Sequence, residues 1–198
     1  MNKLECSASE ENIVMKRFLI CTTLLAVAAT LTAQQTSPKS PPATEKLTIG
    51  GNIMTITYAS PRINGRAGHI FTKDGLISHD KTFPVWRAGA NAATILQTDA
   101  DLDVGKPAVR LPKGSYSLYV DIADPDNWVL IVNKQTGQWG TKYDPAQDLV
   151  RAKMTMGTPS TPVENLKYTL KRFGGSDTIA ELSLSWENHD ASVLLFVK

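Results

Sequence analysis

Apolar and polar positions alternate with a period of two through much of this chain. Met54, Ile56 and Tyr58 alternate with Thr55 and Thr57. Tyr116, Leu118, Val120 and Ile122 alternate with Ser115, Ser117, Tyr119 and Asp121. Leu166, Tyr168 and Leu170 are interleaved with Lys167, Thr169 and Lys171, and Ala180, Leu182, Leu184 and Trp186 with Glu181, Ser183 and Ser185. Successive side chains of an extended strand point to opposite faces, so each run predicts a half-buried strand. Trp128–Val132 and Val193–Val197 are apolar at every position and predict central strands covered on both faces. Leu111-Pro112-Lys113-Gly114, Asp124-Pro125-Asp126-Asn127 and Gly174-Gly175-Ser176-Asp177 place turn-forming residues between runs. No segment keeps a helical period, and only Pro145–Leu149 suits a single helical turn. About eight to ten short strands separated by turns predict an all-β fold, an antiparallel β-sandwich or jelly-roll-like single domain.

Two stretches break the pattern. Ser60–Pro84 is long, rich in Gly, Arg and His, and weakly periodic. Asn133–Asp144 is polar, with two glycines and two aromatic residues. Long connections in compact domains are where function concentrates.

The N-terminal region has a different logic. Met15-Lys16-Arg17 supplies positive charge, Phe18–Ala29 is apolar except for Thr22 and Thr23, and Leu31-Thr32-Ala33 ends on a small residue. These are the three parts of a secretory signal peptide, expected to cover residues 1–33. The apolar run is short of the roughly 20 residues a membrane-spanning helix needs. Glu5, Glu10 and Glu11 do not suit a signal n-region, so Met15 is the expected start of translation. Lipidation at Cys21 is disfavoured by Ile20, which stands where a small residue is wanted. Gln34–Glu45, with three prolines, reads as a disordered linker, and the β-sandwich domain is expected over 46–198. Both cysteines, Cys6 and Cys21, precede the expected cut, so the exported form, periplasmic or extracellular, is cysteine-free.

Charge narrows the choice of partner. Lys+Arg 21 against Asp+Glu 19 leaves a formal +2. That balance speaks against nucleic acid, which demands a concentrated basic face, and against a polybasic membrane-surface protein. A charged fraction of 20% with 42% hydrophobic residues is globular composition.

Candidate chemistry gathers in two groups. Arg62, Arg66, Trp86, Arg87 and Asn91 could form a pocket for a polar or anionic ligand, because guanidinium forks hold oxyanions bidentately and an aromatic can stack on a sugar. The competing reading has Arg87 and Asn91 tying loops to backbone carbonyls and Trp86 in the core. Asn133, Lys134, Trp139, Tyr143 and Asp144 could form a carbohydrate platform; alternatively Trp139 caps an open end of the sandwich. Asp148 and Arg151 read as an ordinary ion pair. His69, His79 and His189 lack metal-ligand spacing and read as surface residues. A loose site with Asp74 and Asp80 is the alternative for the first two, and no metal or cofactor is expected. No G-x-S-x-G elbow occurs. Asp99, Asp101, Asp103, Asp121, Asp144, Glu181 and Glu187 are the carboxylates from which a glycosidase pair would have to come. Asp99, Asp101 and Asp103 imitate a calcium loop without its Gly and closing Glu.

Trp86-Arg87-Ala88-Gly89-Ala90-Asn91-Ala92-Ala93-Thr94, Leu111-Pro112-Lys113-Gly114-Ser115-Tyr116-Ser117-Leu118 and Trp139-Gly140…Tyr143-Asp144 follow Ser60-Pro61-Arg62-Ile63-Asn64-Gly65-Arg66. In this order the chain resembles the bacterial family called domain of unknown function 2911, from about Leu47 to the C-terminus. The resemblance implies an exported envelope protein with no assigned activity. Relatives often carry Thr and Glu at the positions of Ala88 and Ala92, so a site built on those side chains is altered here. The leading expectation is a non-catalytic binding module for a small polar or carbohydrate-like ligand or an envelope partner. Its rivals are a hydrolase acting on a sugar or ester, and a purely structural or interaction module.

Overall fold

In a computed structural model, which describes residues 38–198, the alternation becomes thirteen strands in two antiparallel sheets. The first sheet holds β1 (Pro42–Ile49), β2 (Asn52–Ala59), β3 (Val85–Trp86), β4 (Thr94–Thr98), β7 (Gly114–Asp121), β8 (Val129–Asn133) and β9 (Asp148–Lys153). Its order is β1-β2-β4-β7-β8-β9, with β3 beside β7. The second holds β5 (Leu102–Val104), β6 (Val109–Leu111), β10 (Thr155–Gly157), β11 (Val163–Arg172), β12 (Ile179–Glu187) and β13 (His189–Val197). Its order is β11-β12-β13-β5-β6, with β10 beside β13. The sheets pack as the expected sandwich, and the predicted signal segment lies outside the described residues.

The inward half of each alternating run builds the core. Met54, Ile56, Leu96, Leu118, Val120, Leu130 and Val132 are buried from the first sheet, and Leu166, Tyr168, Leu182, Leu184, Val193 and Leu195 from the second. Each such side chain contributes about 1.5–3 kcal/mol on leaving water. The two continuous apolar runs differ in their outward halves. In β8 the outward Ile131 is fully buried, beneath Tyr119, Ala93, Val85 and Tyr143 in a second small cluster on the outer face. In β13 the outward Leu194 and Phe196 stay partly exposed.

The first strand starts earlier than the sequence pattern places the domain. Pro42–Glu45, expected to be linker, pair with Ala59–Ile56. Pro42 is tolerated because β1 is an edge strand, where a missing N–H costs no ladder bond. The helical turn expected near Pro145 is a 3-10 turn over Pro145–Gln147, capped by the Asp144 carboxylate on the Ala146 N–H. In the Leu111–Gly114 turn, the Tyr116 hydroxyl donates back to the Pro112 carbonyl at 2.7 Å. Its ring passes over Gly114, where a Cβ would lie 3.0 Å from the phenol oxygen.

Ser60–Asn64 is a corner where the chain leaves the first sheet for the second. The Ile63 N–H donates to the Glu164 carbonyl, the Leu166 N–H to the Pro61 carbonyl, and the Ser60 hydroxyl to the Leu166 carbonyl. Arg62 bridges to Asn165. The register of β11 against β12 shifts between Val163 and Lys167, where this intrusion occurs. Beyond the corner the chain straps one end of the sandwich and inserts Ile70 and Ile77 into the core.

Candidate functional site

The loop Arg87–Ala93 is fixed from three sides. The Tyr168 hydroxyl, from the second sheet, donates to the Ala88 carbonyl at 2.9 Å, and Thr94 Oγ1 donates to the same oxygen at 3.2 Å. The Ala90 N–H donates to Ala59 in β2. From the third side, Gln138–Gly140 runs antiparallel to it: the Ala93 N–H donates to the Gln138 carbonyl, the Gly140 N–H to the Asn91 carbonyl, and Ala92 bridges Trp139. Ala88 and Asn91 hold positive φ of 43° and 62°, a left-handed conformation that Asn takes more readily than most residues and Ala takes at a cost.

This arrangement joins parts of the two sequence groups. The stem of Arg87 runs across Gly140, where a Cβ would stand 2.6 Å from Arg87 Cδ and 3.0 Å from the Asn91 carbonyl oxygen. Its guanidinium then meets Asp80 at 3.0 Å, both side chains being about one-fifth exposed. Asn91 and Ala92 are exposed beside it, and Trp139 is 52% exposed. Arg87, Asn91 and Trp139 therefore share one corner with Asp80, a residue that sequence reasoning offers only as a loose metal ligand. The Arg87–Asp80 pair leaves no signal in the sequence because its members stand seven positions apart, joined by a turn and the short strand β3.

Tyr143 lies on the outer face of the first sheet, where its ring packs on Tyr119 at 4.9 Å. Its hydroxyl donates to Asp148 at 2.6 Å, and Arg151 spans Asp148 at 2.9 Å and Asp121 at 2.6 Å. Burial first, and then the bond to Asp148, pushes the Tyr143 phenol far above the ordinary tyrosine range, so it stays a donor. The pair expected of Asp148 and Arg151 is thus one link in a longer network. Asn133 joins it by donating to Asp148 and to the Asp144 carbonyl. The buried Gln138 amide nitrogen stands 3.0 Å from the Tyr119 hydroxyl and 3.1 Å from Ser117 Oγ. These bonds hold Asn133–Asp144 against the sheet as a packed cover.

Other candidates lie elsewhere. Arg66 gives its guanidinium to the carbonyls of Ile63 and Arg62 within the corner. Among the described residues, no polar contact joins Arg62 or Arg66 to Arg87. Lys134 is exposed, and its backbone N–H bonds the Gln147 carbonyl. Trp86 is 1% exposed and cannot touch a ligand; it belongs to an aromatic cluster with Trp128, Trp186, Phe71 and His189. His189 is half-buried, its side chain 30% exposed, unlike the exposed His69 and His79. The reason is tertiary: the strap lays Phe71 over it.

The carboxylates weighed for catalysis each have a partner. Asp99 accepts from the Ile53 N–H, Asp101 from the Lys113 N–H, and Asp144 caps its turn. Asp103 is held by Arg110 and Lys198, Asp121 by Arg151, Glu181 by Lys171, and Glu187 by the Gly68 N–H. The bond to Lys198, followed by the charge of Arg110, keeps Asp103 below the ordinary carboxylate range. No cluster of three or more His, Cys, Asp or Glu side chains able to hold a metal occurs among the described residues, and no helix there is long and apolar enough to cross a membrane.

Fold and corner together define a two-sheet β-sandwich whose loops present an aromatic and an arginine from one end of a pinned platform. The family model described as "Protein of unknown function (DUF2911)" matches residues 40–195, and the chain belongs to that family. No curated protein and no solved structure matches the chain.

Proposed function

We propose that this protein is an exported, non-catalytic binding module that takes a small, hydroxyl-rich ligand of the carbohydrate kind at the Arg87–Asn91–Trp139 corner. One observation carries the reading: Trp139 is 52% exposed although it bridges Ala92 and both its neighbours, Gln138 and Gly140, are hydrogen-bonded to the Arg87–Ala93 loop. A large apolar ring held out in water by a pinned segment adds little to stability and is well preorganised for stacking on a sugar face. Arg87 and Asn91 supply polar groups on the loop paired with the Trp139 segment, and Asp80 fixes the direction of the guanidinium. The non-catalytic part of the reading is supported by the carboxylates, which are tied to cations or backbone N–H groups rather than paired across a cleft.

The test is a thermal-shift and tryptophan-fluorescence screen of the purified protein against neutral oligosaccharides and uronic-acid oligomers. The expected result is a compound that raises the melting temperature of wild type and leaves Trp139→Ala unmoved. A compound that stabilises both proteins equally would place binding elsewhere, and silence across the panel would remove the carbohydrate reading.

A further inference from the structure

The strap across the end of the sandwich is held by an unusual residue. Glu187 sits in the β12–β13 turn with φ of 54° and is only 3% exposed. A buried carboxylate in a left-handed turn is costly twice over, in desolvation and in backbone strain. One of its oxygens, Oε1, accepts the backbone N–H of Gly68 on the strap. The other, Oε2, stands 3.9 Å from His189 Nδ1, beyond hydrogen-bond reach. That Nδ1 is buried and has no hydrogen-bond partner among the described residues.

The groups around His189 are otherwise neutral. From the strap, Phe71 packs on it with ring centroids 4.5 Å apart; from the segment before β8, Trp128 stacks on it at 5.2 Å and 9°. Phe71 also meets Trp86 and Trp186 edge-on, at 5.3 and 5.8 Å. On its own strand the neighbouring Asp190 turns to accept the Ser185 hydroxyl, on the opposite face of the sheet from the buried core residue Ala191. Glu187 is the charged group that faces the imidazole.

We infer that Glu187 and His189 form an acid-sensitive latch on the strap Gly65–Asp80: protonation of His189 draws the Glu187 carboxylate from the Gly68 N–H and lets Phe71 leave its aromatic seat. The two oxygens belong to one rigid carboxylate: closing the 3.9 Å between Oε2 and His189 Nδ1 to hydrogen-bond distance must move Oε1 away from the Gly68 N–H. With neutral His189, Glu187 serves the strap. With imidazolium at Nδ1, the ion pair 3.9 Å away becomes the stronger attraction. Beside the latch the strap carries little packing: Gly65 and Gly68 both have φ of 75°, and a Cβ at either would meet nothing within 4 Å.

Linkage gives the same direction. Burial holds His189 below the ordinary imidazole value, and the Glu187 charge opposes this only in part. The latched form therefore binds a proton more weakly than a form with His189 in water. Its advantage is complete above the ordinary histidine range and shrinks as pH falls through that range towards the depressed value. A single proton limits the response to about tenfold in the released population per pH unit.

The experiment is amide hydrogen exchange and tryptophan fluorescence of the purified protein between pH 8 and pH 5, beside His189→Phe and Glu187→Gln, with exchange rates corrected for intrinsic pH dependence. In wild type, protection of Gly68–Ile77 should fall several-fold on acidification while β7 and β12 stay protected, and the signal from Trp86, Trp128 and Trp186 should change together with it. His189→Phe keeps a ring in the seat and should abolish the pH dependence. Glu187→Gln keeps an acceptor for Gly68 without the charge and should blunt it. A flat wild-type response, or an unchanged one in His189→Phe, overturns the latch. Should His189→Phe fail to fold, proton NMR of wild type decides: the His189 ring and the Gly68 amide must titrate with one midpoint, and separate midpoints overturn the proposal.

Discussion

The four tryptophans divide the molecule into two regions. Trp86, Trp128 and Trp186 are at most 2% exposed and pack with Phe71 and His189 at one end of the sandwich, whereas Trp139 is 52% exposed on the cover of the outer face. The buried three come from strands or strand ends whose inward faces meet, and they serve the core with an area no other side chain matches. Trp139 comes from a segment whose inward-facing neighbour, Gln138, takes the buried place. The same side chain is therefore structural in one region and available for recognition in the other. The difference lies in which face of an extended segment each occupies.

That contrast can be broken at several strengths. The largest effect should come from Trp186→Ala, which empties the middle of the aromatic cluster and should cost about 3–5 kcal/mol in urea unfolding. A cost below about 1 kcal/mol would mean that the cluster collapses easily and is not the anchor of that end. Next is Gly140→Ala. Its methyl would stand 2.6 Å from Arg87 Cδ and 3.0 Å from a backbone oxygen that cannot yield. Displacing Arg87 should cost about 1–3 kcal/mol in stability and release Asp80, seen as faster amide exchange at Asp80 and Arg87. A stable protein with unchanged exchange would show that Arg87 is not seated there. The smallest effect is expected of Trp139→Ala, within about 0.5 kcal/mol of wild type in the same unfolding measurement. A loss above about 2 kcal/mol would make Trp139 a packing residue and end the comparison.

Much of the fold is readable from alternation because a sheet's two faces are written directly into a period of two. Spacing alone puts Met54 and Ile56 on one side of their strand and Leu118 and Val120 on one side of theirs, and all four are buried. Half the candidate site is readable as well. Arg87, Asn91 and Trp139 are residue types suited to a polar ligand, and the segments that carry them meet at Gly140. Arg62, Arg66 and Trp86 look equally suitable. Nothing in their spacing shows that the strand changes sheets at Ser60–Asn64, or that Trp86 points inward from β3.

The chain by itself determined its strand faces, its main turns and the class of architecture, since these depend on residue neighbours and on local dihedral preference. Tertiary structure decided which polar groups meet. Asp80 reaches Arg87, Glu187 reaches Gly68 across 119 residues, and Tyr168 reaches Ala88 across 80. Such pairings are set by how two twisted sheets and a strap close on one another, and a local pattern of residues carries no record of that closure.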